Sequence, residues 1–142
     1  MKNLLLSTKS FLPETSYLVL RFFTGVMMCY YHGWSKLISD SERWERLGNS
    51  LTEWIGFDAL NVPFGFMAAF SESIGALFIA FGFMTRPAAF LLGFTMLVAS
   101  SKKLLATGIE SSELPLLYLI LSLVICLKGS GRWSLDRFFF KK

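Results

Sequence analysis

The stretch Asn61–Arg86, NVPFGFMAAFSESIGALFIAFGFMTR, decides how the rest of the chain is read. It carries an apolar run of about 20 residues, enough to cross a bilayer's hydrocarbon core as a helix. Near its middle sits one carboxylate, Glu72, between Ser71 and Ser73. An acid at that depth costs roughly 3 kcal/mol on insertion scales, so it has to face protein and meet a partner there. At about 100° per residue, Gly65, Ala68, Ala69, Glu72, Gly75 and Ala76 share one face, while Phe64, Phe70, Ile74, Phe78 and Phe81 lie mostly elsewhere. Small residues at this spacing let a neighbouring helix approach closely. Glu72 is therefore expected to point into a helix bundle.

Upstream, Pro13–Ser16 supply a helix start, and a first span is expected over about 17–36. Arg21, Gly25, Met28, His32 and Lys36 recur along one face of it, a polar seam. Two explanations compete. Arg21 and Lys36 can snorkel to the two interfaces, or the seam can join Glu72 in one interior site. The second is adopted, with Arg21, His32, Lys36 and Glu72 as the candidate ligand-binding residues. Helix depths, compared from the span midpoints, put Arg21 opposite Glu72, where a guanidinium suits a carboxylate. His32 then lies about 16 Å further along the axis, at about 1.5 Å per residue.

Between these spans, Leu37–Leu60 is the longest polar connection. Ser39 and Glu42 fit a capping box. Trp44, Leu47, Leu51, Trp54 and Ile55 recur at helical spacing opposite Glu42, Arg46 and Glu53. An amphipathic, tryptophan-bearing helix within 41–56 is expected, either as an interfacial spacer or as a lid over the mouth of the bundle. Asn61 is expected to cap the second span, over 61–84. The turn at Thr85–Pro87 leads into a third span over 87–102, with Ala89, Gly93, Met96 and Ser100 on its packing side. A fourth, over 113–128, places Tyr118, Ser122 and Cys126 on one face. The tail KGSGRWSLDRFFFKK breaks the helix with glycines and offers aromatic and basic residues to a membrane surface.

The composition agrees. Of 142 residues, 54% are hydrophobic, and the mean hydropathy is +0.52, too apolar for an ordinary soluble domain. The reading is all-α: a single membrane domain over 1–142, a four-transmembrane-helix antiparallel bundle with an interfacial amphipathic helix between the first two spans. The opening MKNLLLSTKSFLP has too short an apolar core for a cleaved signal peptide and reads as a surface stub. The net charge of +4 comes from basic residues flanking apolar spans, so it speaks for membrane orientation and against nucleic acid. Eight Lys and Arg residues fall on the side of the termini and five on the other, which places both termini in the cytoplasm. Cys29 and Cys126 lie in separate apolar runs at different depths and are expected to be free thiols.

Read in order, Arg21, HGWSK (His32–Lys36), ESIGALFIAFGFMTRPAAFLLGFTMLVAS (Glu72–Ser100), ELPLLYL (Glu113–Leu119) and GSGRWSLDR (Gly129–Arg137) resemble the DoxX family of small four-helix membrane proteins. Arg21, His32, Gly33, Lys36, Glu72, Gly75, Gly82, Arg86, Glu113, Gly131, Arg132 and Asp136 fall at the family's positions. The chain departs from it after the third helix, where many members carry a His and this sequence has Lys102 and Lys103. The resemblance implies a multi-pass protein of the bacterial cytoplasmic (inner) membrane. It also implies a link to quinone-coupled oxidation, as in a thiosulfate:quinone oxidoreductase subunit or a membrane oxidoreductase complex of oxidative stress.

Three functions follow for comparison. The first is a membrane subunit of a quinone-linked redox complex, binding a quinone or similar apolar ligand in the bundle. No metal, haem or nucleotide motif is present to carry electrons, so such a chain is a non-autonomous subunit of an oxidoreductase, and no catalytic residue is assigned. The second is a small-molecule or ion carrier. The third is a membrane anchor or assembly subunit for partner enzymes. Besides the lipid bilayer, the expected partners are further copies of the chain or a partner redox subunit.

Overall fold

A computed structural model describes residues 12–140. The surface stub expected at the N-terminus lies almost wholly outside them, as do Lys141 and Lys142. All regular structure among the described residues is helical. Helix α1 runs over Pro13–Met28, passes through a π-helical turn at Cys29–Gly33 and ends with Trp34–Leu37. Helix α2 is Ser41–Ile55. Helix α3 follows a 3-10 turn at Asp58–Leu60; it comprises Asn61–Phe70, a second π-helical turn at Ser71–Gly75, and Ala76–Phe81. Helices α4 (Thr85–Thr107) and α5 (Ile109–Lys128) form a hairpin, and a short α6 (Leu135–Phe139) closes the chain.

Local chemistry explains where these helices begin and end. Pro13 and Glu14 stand in the first turn of α1, where a missing N–H and a negative charge are both favourable. Asp40, not the expected Ser39, caps α2 by accepting from the Arg43 N–H at 3.0 Å. Gly56 ends that helix in the left-handed conformation. Gly82 does the same for α3, which stops at Phe81 rather than at 84. The third expected span, 87–102, is longer at both ends. Its start is capped from the tail, and its far end continues past Lys102 and Lys103 to Gly108. The last span starts at Ile109 rather than 113, because the Ser111 and Ser112 hydroxyls donate to the Gly108 carbonyl and hold one more turn.

Glycine contacts set the register. A Cβ at Gly25 would strike the backbone of Ala76 and Ala80, and one at Gly33 the backbone of Glu72 and Ser73. Helix α1 therefore lies antiparallel on the second half of α3, and the two π-helical turns face each other. Above them α2 takes over. Gly48 abuts the Asn61 backbone, and Gly65 abuts the Trp44 backbone. Helices α1 and α2 thus both run antiparallel to α3 and in the same direction as each other. The chain bends at Ile38–Asp40 and reverses only at Gly56. Asn61, expected as a cap, is buried and accepts from the Thr52 hydroxyl.

Among the described residues, three helices are long and apolar enough to cross a membrane: Asp58–Phe81, Thr85–Thr107 and Ile109–Lys128. Helix α1, the other expected span, carries Arg21, His32 and Lys36 along its inner side. The expected packing faces of α4 and α5 are turned inward. Ala89, Gly93, Met96 and Ser100 are buried, as are Tyr118 and Ser122, with Cys126 half-buried. Ile79, Leu92 and Ile125 fill the centre. Both cysteines are free.

Candidate functional site

The facing π-helical turns bring Lys36 and Glu72 together. A π turn inserts one residue into a helix and re-aims the side chains around it. Here Gly33 sits on the peptide between Glu72 and Ser73, and Lys36, one turn beyond, reaches the Glu72 carboxylate as an ion pair. The Glu72 side chain is 4% exposed and that of Lys36 22%, so the carboxylate is the enclosed member. Ser71 and Ser73 do not compete for it. Ser73 donates to the Ala69 carbonyl at 2.6 Å, and Ser71 pairs with the Thr95 hydroxyl at 2.8 Å, tying this level of α3 to α4.

The pair forms part of the wall of two cavities. The larger, about 400 Å³, lies beneath α2. Leu47 and Leu51 of α2, Phe64 and Met67 of α3, and Phe94 and Val98 of α4 make it mainly apolar. The smaller, about 110 Å³, lies on the α5 side and is lined by His32 and Tyr118 along with Met28 and Met96. The His32 and Tyr118 rings meet edge to face, with centroids 6.1 Å apart. Lys103 lines both cavities. Lys36, Glu72 and His32, three of the four expected site residues, are therefore in one place. The arrangement can hold an apolar body in the larger cavity and present a cation and a carboxylate at its polar end, while the His32 imidazole lines only the smaller cavity.

Helix α2 is fastened to this site through the backbone of Lys36. The Lys36 carbonyl accepts from the Trp44 indole N–H at 2.8 Å and from the Ser39 hydroxyl at 2.6 Å. Arg43 donates to the Ser35 carbonyl at 3.0 Å. The carbonyls left open where α1 ends are thus met by side chains of the next helix and its lead-in.

Arg21 is elsewhere, which corrects the expected Arg21–Glu72 pair. Midpoint matching assumed that α1 and α3 are level. The glycine contacts instead place Gly33 beside Glu72, and Arg21 some twelve residues below it, about 18 Å along the axis. At that end Arg21 is 1% exposed and donates to the Trp133 carbonyl at 2.7 Å. A Cβ on Gly82 would collide with its guanidinium. The tail folds back here as a clasp. The Asp136 carboxylate accepts from the N–H groups of Met84 and Thr85 at 2.6 and 3.0 Å and from the Thr85 hydroxyl at 2.8 Å, capping α4. Asp136 also acts electrostatically on Arg21. Tyr17 donates to the Gly129 carbonyl at 2.5 Å, and Glu14 accepts from the Arg132 N–H at 3.1 Å. In the sequence the tail reads as a surface anchor that also carries the family's Gly131, Arg132 and Asp136. Asp136, followed by Arg137 and three phenylalanines, gives no periodic signal that it caps another helix.

Comparisons with known proteins fit this arrangement. An uncharacterized protein of Haemophilus influenzae is 34% identical over 94 residues, covering 61% of this chain and 70% of that protein. No solved structure gives a significant match. The sequence model of the DoxX family matches residues 16–108, which take in nearly all of α1, α2 to α4, and His32, Lys36 and Glu72, but not Leu114, Pro115 and Tyr118 of the smaller cavity. On that match, the chain belongs to the DoxX family.

Proposed function

We propose that this protein is a four-span subunit of a quinone-linked redox complex, with a quinone or a similar apolar ring compound in the cavity beneath α2. The observation that carries the reading is the Lys36–Glu72 pair at the wall of an apolar cavity of about 400 Å³, within the usual size of small-molecule sites. A quinone takes up protons together with electrons on reduction. On this reading Lys36 donates a hydrogen bond to a ring oxygen, Glu72 holds Lys36 in place, and His32, in the smaller cavity that the same pair also lines, relays protons to the pair. Helix α2 excludes water from the apolar part.

The fourth span of this reading is α1. Its mean hydropathy is lowered by residues that face inward, whereas its outward face presents Val19, Phe23, Met27, Tyr30, Trp34 and Ile38. Helix α2 has the opposite outer face, Glu42, Glu45, Arg46 and Glu53, and suits the headgroup region. The excess of basic residues beside the termini favours a cytoplasmic placement of that end in a bacterial inner membrane. The electron carrier belongs to a partner subunit.

The test is binding. A short-chain benzoquinone or naphthoquinone added to the purified protein should raise its thermal unfolding midpoint. Val98→Trp, which fills the larger cavity, should remove the rise. No rise with either ring in the unaltered protein sinks the reading. A second reading, an anchor or assembly subunit, is favoured by the clasp, where Arg21, Gly82 and Asp136 serve architecture. Recovery of stoichiometric partner enzymes with no small-molecule binding would support it.

A further inference from the structure

At the end of the bundle opposite α2, the clasp leaves a trough of about 630 Å³. Leu18 of α1, Phe81 at the end of α3, and Leu135 and Phe138 of the tail give it apolar walls, and Arg132 and Arg137 give it two cations. No acidic side chain lines it. Both arginines are bound through their backbone N–H groups, to Glu14 and Ser134. Neither guanidinium has a hydrogen-bond or ion-pair partner among the described residues.

The geometry points to a binding site for an anionic phospholipid, its phosphate between Arg132 and Arg137 and an acyl chain along Phe81 and α1. Three observations fit together. The charge is one-sided, which favours a lipid of net negative charge over a zwitterion. The apolar wall does not stop at the trough. The Phe81 ring meets Phe22 edge to face, with centroids 6.3 Å apart, and Phe22 leads to exposed Phe23 and Val19 on the outer side of α1. A chain leaving the headgroup therefore has a continuous apolar track. The position also suits a lipid. The trough lies where α1 begins and α3 ends, beside the exposed rings of Trp133, Phe139 and Phe140, the level at which headgroups meet aromatic residues. A guanidinium pairs bidentately with phosphate oxygens, and two of them across an apolar groove select a phosphate that carries a chain. The inference does not depend on what occupies the cavity beneath α2.

The experiment uses the full chain in phosphatidylcholine vesicles doped with either brominated phosphatidylglycerol or brominated phosphatidylcholine. Quenching of Trp133, taken as the difference from Trp133→Phe, reports what lies in the trough. The anionic lipid should quench about five-fold more effectively than the zwitterionic one, the preference expected from about one favourable cation at an anionic headgroup. Arg132→Gln with Arg137→Gln should equalise the two lipids, and Arg132→Lys with Arg137→Lys should keep most of the preference. Equal quenching in the unaltered protein overturns the proposal. So does a preference that survives in the folded double glutamine variant. Should that variant fail to fold, the unaltered protein and the lysine pair still decide.

Discussion

Lys36 holds Glu72 with its ammonium and α2 with its carbonyl. The ion pair and the bend between the first two helices are therefore two ends of one residue. The unequal burial of the partners makes the pair's energetics asymmetric. Lys36→Met strands a carboxylate that is 4% exposed, whereas Glu72→Gln leaves an ammonium at 22% that can swing toward water. Lys36→Met should lower stability by about 3 kcal/mol and Glu72→Gln by about 1 kcal/mol. Combining Lys36→Met with Glu72→Leu should recover most of the loss. Unfolding in detergent reads all three, and equal losses for the two single variants would argue against the asymmetry.

The Trp44 indole is a second handle on the bend. Trp44→Phe keeps the ring against Phe66 but loses the hydrogen bond to the Lys36 carbonyl. The expected loss is about 1 kcal/mol. It should appear as faster amide exchange in α2, with α4 and α5 unaffected.

Glycines separate close approach from mere smallness. Gly33→Ala and Gly25→Ala drive a methyl into the α3 backbone, and each should lower stability by about 3 kcal/mol or prevent folding. Gly75 belongs to the same small-residue face of α3 in sequence, yet a Cβ there meets nothing nearer than 3.6 Å. Gly75→Ala should be neutral within about 0.5 kcal/mol. Expression level and melting temperature of the three variants give the comparison.

Asp136 closes the clasp. Asp136→Ala leaves the Met84 and Thr85 N–H groups and the Thr85 hydroxyl without their acceptor. The loss should be about 2 kcal/mol, in the upper range for a helix cap. Limited proteolysis should then cut between Gly129 and Ser134 in the variant before it cuts anywhere else.

The faces of the bundle were legible in the sequence; its vertical register was not. Arg21, Gly25, Met28, His32 and Lys36 do lie along the inner side of one helix, because a helical period fixes direction regardless of partner. Which level of α3 meets which level of α1 depends on Gly33 finding the Glu72–Ser73 peptide. A sequence marks Gly33 as small but does not say what it will touch. The π-helical turns are hidden for the same reason, since they arise where packing and not propensity decides. Lys36 carries a signal of its own in the sequence, as the cation one turn from that glycine. The clasp was out of reach, because its bonds join residues between 51 and 118 positions apart.

That separation has a consequence for biosynthesis. Arg21 and Tyr17 each find a tail carbonyl 112 residues later, and Glu14 a tail N–H 118 residues later. At about 5–20 residues per second, the ribosome needs on the order of ten seconds to supply Trp133 after Arg21 has been made. Through that interval the Arg21 guanidinium lacks the Trp133 carbonyl. A stretch made much later is thus the one that locks α1. A nascent chain cut short before the tail would hold every apolar span and still lack its closing bond, a difference that a quality-control protease could read at the membrane surface.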